Sequence, residues 1–120
     1  MRKFQAQEVS YSEGDIEERE YFQVVFEESE KPGAKYVLLQ RQFEMPDGGV
    51  SYFQCEEFER SGHHVIRKSK LSRERFEIEI PGESGGKWVV GFELEEKRYE
   101  LLKEVLSIIL GKPSRMEIEG

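Results

Sequence analysis

The stretch RFEIEI (Arg75–Ile80) alternates strictly, with Phe76, Ile78 and Ile80 on one side and Arg75, Glu77 and Glu79 on the other. A period of two belongs to an extended strand with one buried and one wet face. KWVVGFEL (87–94) repeats the pattern: Trp88, Val90, Phe92 and Leu94 lie opposite Val89, Gly91 and Glu93. The glycine-rich PGESGG (81–86) between them predicts that the two strands pair. Runs rich in Val, Ile, Tyr and Phe predict further strands over Lys3–Tyr11, Glu20–Glu28, Lys35–Phe43, Val50–Phe58 and His64–Leu71, with the alternating pair extending over Arg73–Ile80 and Lys87–Glu93. KPGA (31–34), MPDGG (45–49) and RSG (60–62) supply turns, because glycine reaches positive φ at little cost.

The period then changes. From Glu95 to Leu110, Tyr99, Leu102, Val105, Leu106 and Ile109 recur at steps of three and four, widened by Leu101 and Ile108, as a helix with one apolar stripe requires. Glu93, Glu95 and Glu96 complement the positive end of its dipole, and Gly111 followed by Pro113 is a stop signal. SRMEIEG (114–120) reads as a loose tail. A sheet wet on one side must cover the other, and a terminal helix does so economically. The expected fold is α+β: a curved antiparallel β-sheet of about six to seven strands with one C-terminal α-helix packed on it. It occupies a single domain over residues 1–111, followed by a tail over 112–120.

Composition changes the picture in two ways. Charged residues make up 36% of the 120 residues, yet 8 Phe and 5 Tyr supply bulk for one core. The net charge of −7 argues against general phosphate-backbone binding, so nucleic acid is an improbable partner and a basic protein a better one. The exception is local: Arg60, Arg67, Lys68, Lys70, Arg73 and Arg75 face Glu74 alone within residues 60–75, which reads as a solvated sheet face. No apolar run is long enough for a signal sequence or a bilayer span, and the sole cysteine, Cys55, suits a reducing compartment. A soluble cytoplasmic protein is expected.

Candidate chemistry is sparse. His63 and His64 are adjacent, so on a strand they point to opposite faces, and no ligand spacing accompanies them; they read as the start of a strand, with no metal. Cys55 lacks a legible base partner and reads as a buried structural residue. Gly48-Gly49 and Gly85-Gly86 lack the strand–loop–helix setting of a phosphate cradle. No catalytic or cofactor-binding residue is predicted. Acidic clusters occur at 13–20, 27–30 and 56–59. Carboxylates in such density attract a basic protein and speed its encounter, which makes Glu13, Asp15, Glu17, Glu18 and Glu20 the candidate partner-binding residues.

Three segments carry a family resemblance: YVLLQR (36–41), HHVIRKSKLSRERFEIEI (63–80) and VVGFELEEKRYELLKEVLSIIL (89–110). Over roughly residues 35–110 the chain resembles the bacterial immunity-protein family numbered ten, from polymorphic toxin systems. The resemblance implies a non-enzymatic protein that binds and neutralises a cognate toxin in the cell that makes it. SGHHVIRKSK (61–70) stands where that family carries a glycine- and tyrosine-rich segment, so no individual contact residue is carried over. Two other readings compete. One is a small-molecule-binding or enzymatic sheet domain with an aromatic pocket lined by Tyr52, Phe53 and Trp88. The other is a structural subunit of a homo-oligomer, such as a homodimer, pairing through sheet edges or the helix.

Overall fold

The first strand-like run changes the face it buries. Phe4 and Ala6 are buried, and then so is Val9, so the inward parity switches from even to odd within a few residues. The computed structural model describes residues 2–16, 19–42, 51–57, 62–64, 66, 68–80, 86–110 and 115–118. In it the run expected over Lys3–Tyr11 forms two strands, β1 (Arg2–Gln5) and β2 (Glu8–Ile16). The amide of Ala6 donates to the Gly91 carbonyl at 2.8 Å, and that of Gln7 to the Glu27 carbonyl at 2.8 Å, so neighbouring amides bind different sheets. The switch is a corner.

Two five-stranded sheets result, where one had been expected, and a C-terminal helix completes the α+β fold. The first is an antiparallel meander in the order β2-β3-β4-β5-β6, from β2, β3 (Arg19–Glu27), β4 (Tyr36–Gln42), β5 (Ser51–Cys55) and β6 (Gly62–His64). Its β3–β4 turn is Lys31-Pro32-Gly33-Ala34: the Ala34 amide donates to the Lys31 carbonyl at 3.1 Å and Gly33 has φ +82°. Proline followed by glycine at positive φ is the type II signature.

The second sheet runs β1-β9-β8-β7-β10, adding β7 (Lys68–Leu71), β8 (Arg75–Ile80), β9 (Gly86–Gly91) and β10 (Arg115–Ile118). It is mixed: β8 is antiparallel to β7 and β9, whereas β1 lies parallel to β9 and β10 parallel to β7. Parallel neighbours need a long crossover, and α1 (Glu96–Leu110), between β9 and β10, provides one. The stretch expected to be a loose tail therefore contains an edge strand. His64–Leu71, expected as one strand, is likewise divided between β6 in the meander and β7 in the mixed sheet. The β8–β9 pairing expected across residues 81–86 is present, with Phe76 opposite Val90 and Ile78 opposite Trp88.

The sheets meet through their apolar faces. Phe26 of β3 stacks on Phe76 of β8, and Phe53 of β5 packs on Trp88 of β9 with centroids 4.7 Å apart. The helix buries Tyr99, Leu102, Val105, Leu106, Ile109 and Leu110, while Leu101, expected to widen its stripe, is exposed. Polar contacts hold both its ends. Arg98 Nη2 donates to the Val9 carbonyl of edge strand β2 at 2.6 Å, and Arg41 Nη1 donates to the Ile108 carbonyl at 3.1 Å. Those carbonyls would otherwise lack a partner at a strand edge and in a final helical turn. The Gly111 stop signal lies outside the described residues.

Candidate protein-interaction face

With the odd positions of YVLLQRQ committed to the core through Val37 and Leu39, β4 turns Tyr36, Leu38 and Gln40 outward. Register extends this into rows across the meander. Gln23, Gln40 and Tyr52 form one row; Ser10, Val25, Leu38 and Gln54 form the next. All seven are half-buried, and none carries a charge at neutral pH. Tyr52 Oη donates to Gln54 Oε1 at 3.0 Å, and Gln54 Nε2 donates to Tyr36 Oη at 2.7 Å, which fixes the two phenol rings along the face. One row further, Glu8 stands opposite Glu27 and Glu27 opposite Tyr36, whose amide donates to Glu56 Oε1 at 3.2 Å. The face is thus neutral in its centre and acidic along one end.

The outer face of the mixed sheet is built differently. Lys68 lies opposite Glu79, which lies opposite Lys87; Lys70 lies opposite Glu77, which lies opposite Val89. Lys68 Nζ is 3.9 Å from Glu79 and Lys87 Nζ 3.6 Å from Glu77. Cross-strand opposites of this kind neutralise one another. Val89 is nevertheless buried, flanked in register by Lys3 and Glu77, whose aliphatic stems can cover it. The basic stretch reads accordingly: of its described members, Lys68 and Lys70 belong to this ladder, Arg73 lies over the Tyr99 ring at 4.6 Å and Arg75 is exposed opposite Gly91, whereas Arg60 and Arg67 lie outside the described residues.

The residues expected to bind a partner are placed only in part. Glu13 pairs with Phe22 and Asp15 with Glu20 along the β2–β3 hairpin, so strands run through the acidic cluster; Glu17 and Glu18 lie outside the described residues. His63 stands opposite Tyr52 and His64 opposite Ser51. Among the described residues no three His, Cys, Asp or Glu side chains gather as metal ligands. Tyr52, Phe53 and Trp88 do not line a common pocket: Phe53 and Trp88 are core residues in mutual contact, and Tyr52 is on the opposite side of β5. Cys55 is buried, and its Sγ donates to the Glu57 carbonyl at 3.4 Å. Burial pushes its thiol pKa up, with the charges of Glu56 and Glu57 adding to the shift, so it is a poor nucleophile. Beside it, Arg2 Nε holds Glu57 Oε2 at 2.6 Å and its guanidinium lies 5.4 Å from the Trp88 ring centre, tying β1 to the segment after β5.

Comparison with known proteins adds no family to this geometry: no family model, curated protein or solved structure matches the chain. Among the described residues no helix is long and apolar enough to cross a membrane.

Apart from Tyr52, which was expected in an aromatic pocket, the outer residues of the meander escaped the sequence reading, which weighed charge clusters instead. Their signal is the reverse. In a chain with 36% charged residues, the outward positions of β4 and β5 include Tyr36, Leu38, Gln40, Tyr52 and Gln54.

Proposed function

We propose that this chain is a non-enzymatic protein-binding module that acts as an immunity-type inhibitor, neutralising a cognate toxin by covering part of its surface. The observation carrying this reading is the uncharged outer face of the meander sheet. Interface cores are depleted of charge and enriched in tyrosine, and this face combines both features within an otherwise highly charged protein. The net charge of −7 supports a basic partner, whose approach the long-range field accelerates.

The test is affinity capture of the tagged protein from the organism that makes it, at low and moderate salt, followed by reconstitution with the purified partner. A stoichiometric complex that inhibits the partner's toxicity, and is lost on Leu38→Lys in a folded variant, supports the reading. A partner that binds wild type and Leu38→Lys equally places the interface elsewhere.

A further inference from the structure

Where the neutral rows of the meander end, its surface dips into a recess of about 500 Å³ beneath the β3–β4 turn. Val25 and Leu38 give it an apolar side, and Tyr36 stands in it between two carboxylates. Glu27 is its cross-strand neighbour on β3, and Glu56 is bound to its backbone amide on the other side. Both carboxylates are half-buried, and among the described residues neither has an ion-pair partner within 4.0 Å. Glu8, opposite Glu27, adds a like charge to the same row, and its nearest cation, Arg98, lies 4.0 Å away on the helix. Like charges set opposite one another across strands oppose folding. A cation from outside would relieve that repulsion.

We infer that this recess receives an arginine side chain of the binding partner, with its guanidinium against the Tyr36 ring and shared between Glu27 and Glu56. The chemistry selects arginine among cations. Its aliphatic stem suits Val25 and Leu38, its plane stacks on an aromatic ring, and its fork reaches two carboxylates at once. Lys31, Lys35 and Glu30 also line the recess and are exposed, so its lining carries both signs and a diffuse cation gains less there than a planar group that contacts the ring and both carboxylates. The inference rests on the reading of the meander face as a protein-binding surface and names one chemical feature of what binds there.

The test does not need the partner. The ¹⁵N-labelled full chain is titrated with N-acetyl-arginine methylamide and, separately, with its neutral isostere N-acetyl-citrulline methylamide, at low salt. Saturable shifts confined to the amides around Glu27, Ala34, Tyr36, Leu38 and Glu56 are expected with the arginine compound alone. They should weaken about fivefold in Glu27→Gln, whose remaining spectrum should overlay that of wild type. Equal shifts with citrulline, arginine shifts unaffected by Glu27→Gln, or no localised shift would overturn the arginine site. A captured partner lost on Leu38→Lys alongside a failed titration would leave the binding face standing without its arginine. A successful titration with no captured partner would leave the reverse.

Discussion

Phe26 of β3 and Phe76 of β8 lie with ring centroids 5.4 Å apart and planes 8° from parallel, one ring from each sheet and neither exposed to solvent. Phe92 also stacks on Phe26, with centroids 6.1 Å apart. This stack joins the inner faces of the two sheets. Replacing Phe26 with Ala should cost about 3–5 kcal/mol, the usual range for a buried Phe deletion. Urea titration measures it. A double-mutant cycle with Phe76→Ala should show a coupling of about 0.5–1.5 kcal/mol, and strict additivity would deny the stack any specific contribution.

Burial raises the Cys55 thiol above its ordinary value of 9.0. The folded state thus keeps its proton to higher pH than the unfolded state does. Stability from this residue is fully present below about pH 9 and falls as pH rises from there through the folded pKa. Denaturation midpoints measured from pH 7 to 10 should show an alkaline decline that is reduced in Cys55→Ala. In the native protein at neutral pH the thiol should resist alkylation, and it should react once urea unfolds the chain.

Gly33 needs its missing side chain for conformation rather than space, since φ is +82° and no atom lies within 4 Å of where a Cβ would be. Gly33→Ala should destabilise by about 1–2 kcal/mol, the cost of holding an L-residue in the left-handed region. Gly33→Asn should cost less. Equal losses for the two variants, read from thermal or urea unfolding, would contradict a purely conformational origin.

The two outer faces should respond oppositely to substitution. Lys68 is largely exposed and pairs loosely with Glu79, so Lys68→Ala should change stability by no more than about 0.5 kcal/mol and leave partner binding unchanged. Leu38→Lys should also leave the fold intact, at about 1 kcal/mol or less on a half-exposed sheet position, yet weaken partner binding by tenfold or more. Calorimetry with the captured partner separates the two faces.

Legibility followed the length and strictness of each local pattern. The alternation of Phe76, Ile78 and Ile80, the three-to-four spacing from Tyr99 to Ile109, and the Pro32-Gly33 turn each declared its element. The corner at Ala6–Gln7 was not read, since Lys3–Tyr11 was expected as one strand; the change of inward parity between Phe4 and Val9 shows in the folded chain, where neighbouring amides bind different sheets. β10 offered four residues, and its partner β7 lies more than forty positions earlier, so no local period could reveal it. The interaction face was missed for a related reason. Its residues come from β2, β3, β4 and β5, and their common lack of charge becomes a patch only once register aligns them.

By itself, the sequence determined the buried side chains of β8, namely Phe76, Ile78 and Ile80, and most of the helix stripe, because those choices are made by periods of two and of about 3.6 residues within a single element. It also determined the α+β class, since a wet-faced sheet needs a cover and the helix is the one long amphipathic segment. Tertiary structure decided the division into two sheets, the parallel edges β1 and β10, and the joining of neutral rows to an acidic end around Tyr36. Those features depend on pairing between distant segments, and such pairing is set by the packing of whole faces such as Phe26 on Phe76, which no local pattern encodes.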